Sequence, residues 1–145
     1  TTPLYQTSTG AFLIGRFEVT YGDWLEFLNS LAKEERLKRA IHLPKGGIGG
    51  GVDLRELADG SWQLMLQPVT QQHLLRVGEP IRYTSRKIRQ EQNWLRLPVS
   101  GIGPEDVQAY AAWLDRSGRV SGARLCTEYE WERAACGADD GAAAT

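Results

Sequence analysis

Cys126 has both the type and the position to do chemistry. It precedes Thr127-Glu128-Tyr129-Glu130, which reads as a helix start. Thr127 caps the first turn, and the Glu130 carboxylate, three residues on, reaches back to the Thr127 N–H. A thiol just outside a helix N-terminus feels a positive potential that favours the thiolate, the nucleophilic and metal-binding form. Packing is the competing reading. Cys126 before the cap and Trp131 after it occupy the two positions of a hydrophobic staple, and free cysteines are commonly just buried. No general base stands near Cys126 in the sequence, so it is a candidate reactive thiol and no more. Glu128, Glu130 and Glu132 are spaced by two, and such residues on a helix do not face each other, which excludes a paired acid and base. Glu128 and Glu130 instead suit the positive end of the helix dipole.

Other reactive residue types do not assemble. His42 and His73 are far apart and neither is close to a cysteine, so no zinc spacing exists. Cys126 and Cys136 flank one helix, about 15 Å apart at ~1.5 Å per residue. A disulfide tolerates only about 7 Å between Cα atoms, so these two are not expected to pair. Asp139-Asp140-Gly141 is too short for a calcium loop. The glycine-rich run 46–51 lacks the lysine, hydroxyl and preceding strand of a phosphate cradle and reads as a flexible connection. Arg82, Arg86, Lys87 and Arg89 could hold an anion, with an exposed basic loop as the competing reading.

Several elements must position these groups. Residues 12–19 are rich in β-formers and predict a strand with Phe17 and Val19 on one face. A helix starts at Thr20, with Asp23 in its first turn and Trp24, Phe27, Leu28 and Leu31 as its buried stripe. The polar stretch 32–45 mixes Lys33, Arg36, Lys38 and Arg39 with Glu34 and Glu35, as a solvated helix end does. Residues 52–57 and 61–66 flank Ala58-Asp59-Gly60 and predict a β-hairpin with Trp62, Leu64 and Leu66 sharing a face. A further strand is expected through His73, Leu75 and Val77. Gly103 caps a third helix with Pro104 at its first position, acidic Glu105 and Asp106 following, and Val107, Tyr110, Ala111 and Leu114 as its buried stripe. Gly118 and Gly122 mark the return to the Thr127 helix. There Trp131, Ala134 and Ala135 form an apolar face expected to be core, and Gly137 suits the C′ position.

The bulk properties bound the answer. The 145 residues suit one domain, 41% of them hydrophobic, enough for a core. A net charge of −1 gives no reason to expect nucleic acid or an anionic membrane as partner. No apolar run approaches the ~20 residues of a membrane span, and no basic-then-apolar leader is read. Two cysteines are too few for a disulfide scaffold, which makes a reducing, cytoplasmic setting the expectation.

The run from Arg124 to Ala135, Arg-Leu-Cys-Thr-Glu-Tyr-Glu-Trp-Glu-Arg-Ala-Ala, closely resembles the signature segment of the formylglycine-generating enzyme (sulfatase-modifying factor) family. Members usually show Pro or Cys at the place of Cys126, then Thr-Glu-Ala-Glu-Trp-Glu. Phe17-Glu18-Val19-Thr20 with Trp24 and Phe27 is similar to the family's Tyr-Glu-Val-Thr segment and the helix after it. Leu97-Pro98-Val99 with Asp106, Ala109, Tyr110 and Trp113 is similar to its Pro-Val segment and following helix. Gly101-Ile102 stands where many members show Ser-Trp, and Ala111 where cysteine is common. The insert before Trp94, including Glu79-Pro80-Ile81-Arg82-Tyr83, looks most like versions attached to bacterial serine/threonine protein kinases.

The resemblance implies an α+β, C-type-lectin-like fold with sparse regular secondary structure. The chain would be the N-terminal part of one such domain over 1–145, incomplete at the C-terminus, with a β-rich insert at about 45–95. The family's characterised enzymes oxidise a substrate cysteine to formylglycine with oxygen and copper, using cysteines near the C-terminal end. Its calcium sites and its Gly-Gly-Ser-Trp and Gly-Phe-Arg motifs also belong to that later half. None of these motifs is present, so no catalytic or metal residue carries over. Glu18, Thr20, Arg124, Thr127, Glu128, Glu130 and Trp131 carry over as structural motif residues. The resemblance leaves two functions open. One is a non-catalytic, ligand- or protein-binding, sensory or regulatory module. The other is the front half of a copper-dependent oxidoreductase whose catalytic cysteines lie beyond this chain. Calcium or copper is expected only in a complete domain. The expected partners are the missing C-terminal half, or another chain supplying it, and a kinase or other regulatory domain.

Overall fold

Thr20, itself extended, begins helix α1, Tyr21–Asn29, by a reciprocal exchange. Its Oγ1 accepts from the Asp23 N–H at 3.3 Å, while Asp23 Oδ2 accepts from the Thr20 N–H at 2.9 Å. These coordinates are a computed structural model that describes residues 8–42, 50–68 and 71–136. Of the stripe expected for α1, Trp24, Phe27 and Leu28 are buried, joined by Tyr21 and Leu25, while Leu31 lies past the helix end and is half-buried against the same core. Helix α2, Lys33–Lys38, buries nothing and has no side-chain cap. Ion pairs tie its end down, Arg36 to Glu56 at 3.2 Å and Arg39 to Asp106 at 2.9 Å.

Strands β1 (Gly51–Glu56) and β2 (Trp62–Gln67) form the expected hairpin, with Leu54 opposite Leu64. Asp59 holds the turn by accepting from the Ser61 N–H at 3.0 Å, and Gly60 has a positive φ of 78°. Strand β3, His73–Arg76, adds antiparallel to β2. It ends one residue before Val77, which is exposed: the turn at Gly78 (φ 94°) stops the ladder there. Val52, Leu54, Trp62, Leu64 and Leu75 face the same core as α1, as period-2 alternation requires.

Two elements were not read from the sequence. Strands β4 (Pro80–Arg82) and β5 (Glu91–Asn93) make a second small sheet, so part of the stretch 81–89 is paired strand and Ile81 is fully buried. A 3-10 turn, Trp94–Arg96, follows, capped by Asn93. Trp94 is fully buried against Tyr21, edge to face at 5.9 Å, and its Nε1–H donates to the Arg76 carbonyl at 3.0 Å. Helix α3, Pro104–Arg116, and helix α4, Glu128–Cys136, complete the order; every described strand lies between Gly51 and Asn93. At α3 the Asp106 carboxylate accepts from the Gly103 N–H at 3.1 Å.

The strand expected over 12–19 is corrected. That segment has no regular structure, bends at Arg16 and Phe17, and pairs only at its end, through a Thr20–Pro98 bridge and a Val99 N–H to Val19 carbonyl bond of 2.9 Å. Among the described residues no second strand runs beside it, and Leu13 and Phe17 are exposed. β-propensity expresses itself only where a neighbouring strand and a face to pack against exist. Glycines 46–49, Gly137 and Asp139-Asp140-Gly141 lie outside the described residues. Gly50 is described, with φ 71°, and a Cβ there would sit 2.8 Å from the Gln67 carbonyl oxygen. Gly50→Ala is therefore expected to destabilise the fold by roughly 1–3 kcal/mol, measured by urea denaturation, because both the left-handed backbone and the contact oppose a side chain.

Candidate functional site

Helix α3 has two working faces. On one, Tyr110 and Trp113 join an aromatic cluster with α1: Tyr110 lies 5.7 Å from Trp24 and 5.5 Å from Phe27, and Trp113 lies 5.6 Å from Phe27. Arg119 covers Trp113 at 4.7 Å and pairs with Glu26, closing that side. On the other face Val107, Ala111 and Leu114 meet no core. They line a groove of about 640 Å³ whose remaining walls are residues 11–19 and 120–126. A helical stripe of this spacing reads as core from sequence alone, and that is why the groove was not anticipated.

Each wall is tied down. Arg133 of α4 donates to Thr9 Oγ1 at 2.6 Å, and Val19 is held by Val99, so the segment between them is fixed near both ends. The Gly122 N–H donates to Asp115 Oδ1 at 2.7 Å, folding the third wall back on α3. Arg124 then grips α4 in a two-pronged pair: Nη1 donates to Glu130 Oε2 at 2.8 Å and Nη2 to Oε1 at 2.6 Å. Nη1 also reaches the Leu125 carbonyl at 2.9 Å.

Glu130 is a buried carboxylate, 8% exposed, at the rim of this groove. It also accepts from the Thr127 N–H at 2.8 Å, and Thr127 Oγ1 accepts from the Glu130 N–H at 3.3 Å. The Arg124 hydrogen bonds, then the Thr127 N–H, lower its pKa to about 2 against the cost of burial, and the same pair raises Arg124. The buried charge is tolerated because three fixed donors, two from Arg124 and one from the Thr127 N–H, hold its two oxygens.

The site residues read from the sequence are distributed as follows. Arg124, Thr127 and Glu130 form one hydrogen-bonded unit. Cys126, a free and exposed thiol, lines the groove beside them, and Glu18 lies on the facing wall. Thr20 caps α1 and Glu128 is exposed in the first turn of α4. Trp131 is corrected: it is 60% exposed, so the expected apolar face of α4 is uncovered and both staple residues are accessible. Periodicity assigns a helix face without saying what lies opposite it. Thr127→Ala is accordingly expected to cost about 1 kcal/mol by loss of the cap. Trp131→Ala should cost less than about 1 kcal/mol, where a core indole would cost ~3–5 kcal/mol. Thermal and urea unfolding of the two variants check both values.

Among the described residues no three His, Cys, Asp or Glu side chains converge on one point. His42 is engaged with Asp53 at 2.9 Å, in a bridge near β1. No helix among the described residues is long and apolar enough to cross a membrane.

The sequence profile of the sulfatase-modifying factor enzyme 1-like domain matches residues 1–143. The chain is 29% identical over 133 residues to the hercynine oxygenase of Mycobacterium tuberculosis (strain ATCC 25618 / H37Rv). That alignment covers 91% of this chain and 25% of the relative, so the chain spans about a quarter of the length of the curated relative it matches. No solved structure matches the chain significantly.

Proposed function

The chain belongs to the sulfatase-modifying factor enzyme 1-like family, and from that premise we propose that it is the N-terminal part of a C-type-lectin-like domain that binds a ligand or protein without itself carrying a catalytic centre. The observation that carries this reading is the groove between residues 11–19, α3 and residues 120–126. Its walls are held by hydrogen bonds rather than by a core, and Leu13, Phe17, Val120 and Leu125 around it are exposed. Apolar groups left uncovered on a well-tied frame mark an interaction surface. The proposed occupant is the remainder of the domain, from the same polypeptide or a second chain. The relative's fourfold greater length supports that choice.

That relative is an oxygenase, which favours a second reading, the front half of an oxidising enzyme whose reactive groups come from the remainder. One experiment bears on both. The chain is loaded with Cu(I), given a cysteine-containing sulfatase-type peptide and oxygen, and the peptide thiol is followed by mass spectrometry. The chain is expected to leave the thiol intact, as is a Cys126→Ser, Cys136→Ser variant. Oxidation by the wild-type chain that the double variant loses would overturn the binding reading and restore the enzyme.

A further inference from the structure

The β4–β5 hairpin carries a cleft of its own, separate from the groove. It measures about 600 Å³ and is lined by Arg86, Arg89, Glu91, Gln92, Asn93 and Arg96. That volume falls within the ~300–1,000 Å³ of small-molecule sites. Three exposed arginines thus line one concavity in a chain whose net charge is −1. The single lining carboxylate, Glu91, is occupied by Arg82 at 3.1 Å, outside the lining. Among the described residues none of Arg86, Arg89 and Arg96 has an acidic partner. Like charges brought together with no counter-charge repel, and the cost is lifted when an anion enters.

The three cations are also presented, not merely clustered. Arg86 lies over the Tyr83 ring, 3.5 Å from its centroid, which occupies one face of the guanidinium and leaves its N–H edges for a ligand. Tyr83 is in turn fixed by its hydroxyl donating to Gln92 Oε1 at 3.0 Å, and by its N–H to the Gln90 carbonyl at 2.8 Å. With its oxygen used, Gln92 keeps its amide N–H groups as donors at the cleft. Arg96 ends the 3-10 turn anchored by buried Trp94. Arg89 holds a positive φ of 51°, the one such non-glycine residue among those described.

We propose that this cleft is a binding site for a small phosphate monoester, its dianionic phosphate held by Arg86, Arg89 and Arg96 with Gln92 as neutral donor. Three forked cations against one already-paired carboxylate favour a dianion over a monoanion, and guanidinium edges match the oxygens of a phosphate. The site does not depend on the groove reading. The test is a titration of the isotope-labelled chain with inorganic phosphate at physiological ionic strength, following the arginine Nε–H and Gln92 amide signals by NMR. Saturable shifts confined to the cleft are expected. Arg86→Gln and Arg96→Gln should each weaken binding about tenfold. Arg89→Gly removes the charge while suiting the positive φ, so it should lose affinity without losing stability. Lys87→Gln, a basic residue of the same loop outside the lining, should change nothing. Non-saturating shifts, equal loss with Lys87→Gln, or acetate binding as tightly as phosphate would each overturn the site.

Discussion

Trp94→Ala is expected to remove roughly 3–5 kcal/mol of stability, as truncation of a fully buried indole does. Small domains hold about 5–15 kcal/mol in all, so the loss is a large share of the total. Trp94 has no exposed surface, packs on Tyr21 of α1, and donates to the Arg76 carbonyl at the end of β3. It therefore joins three elements that are otherwise distant in sequence: the first helix, the three-stranded sheet and the short hairpin β4–β5. Truncation leaves a cavity and removes one of the two donors to the Arg76 carbonyl, the other being the Glu79 N–H at 3.0 Å. Trp94→Phe keeps much of the volume and loses only the N–H, so it should fall between wild type and Trp94→Ala. Urea denaturation with a secondary-structure probe ranks the three. A Trp94→Ala chain within about 1 kcal/mol of wild type would show that the core does not close on this indole.

What could be read from the sequence was whatever is decided within a few residues. Thr20 with Asp23, Gly103 with Asp106, and Thr127 with Glu130 each place a carboxylate three positions after the cap, and each makes the backbone contact that spacing allows. Asp59-Gly60 marked the hairpin for the same reason, since turn geometry is local. The failures all concern what lies across from an element. Residues 12–19 have strand composition, yet among the described residues only their end finds a partner. Trp131 has the helical spacing of a core residue and faces outward. Strands β4 and β5 are three residues each, too short for a period-2 signal, and are recognisable only because Tyr83, Gln90 and Gln92 bond across the hairpin. The groove was invisible for a related reason. Val107, Ala111 and Leu114 look alike whether they face a core or an open cleft.

Glu130 is expected to titrate at about 2, well below the ~4.3 of an unperturbed glutamate, in a carboxyl-observed NMR titration. Its folded pKa is depressed, so the stability it contributes is fully present above the unfolded value. That contribution is lost progressively as pH falls from about 4.3 towards 2. Glu26, Glu35 and Asp59 are also lowered, by Arg119, Lys38 and Ser61 respectively, so the acid limb of the whole chain is shared. The difference between wild type and Glu130→Gln isolates one carboxylate: it should be constant at neutral pH and shrink across that acid window. Arg124→Lys keeps the charge but not the fork, and should move the Glu130 pKa back towards the ordinary range. Loss of the pair also frees the wall of the groove, because Arg124 binds Glu130 and the Leu125 carbonyl together. Cys126 sits between those contacts and the α4 cap, so its alkylation rate should rise in Glu130→Gln as the segment loosens. A stability difference that persists undiminished at pH ~2, with an unchanged alkylation rate, would mean that Glu130 is held by packing alone and that its ion pair sets neither α4 nor the groove.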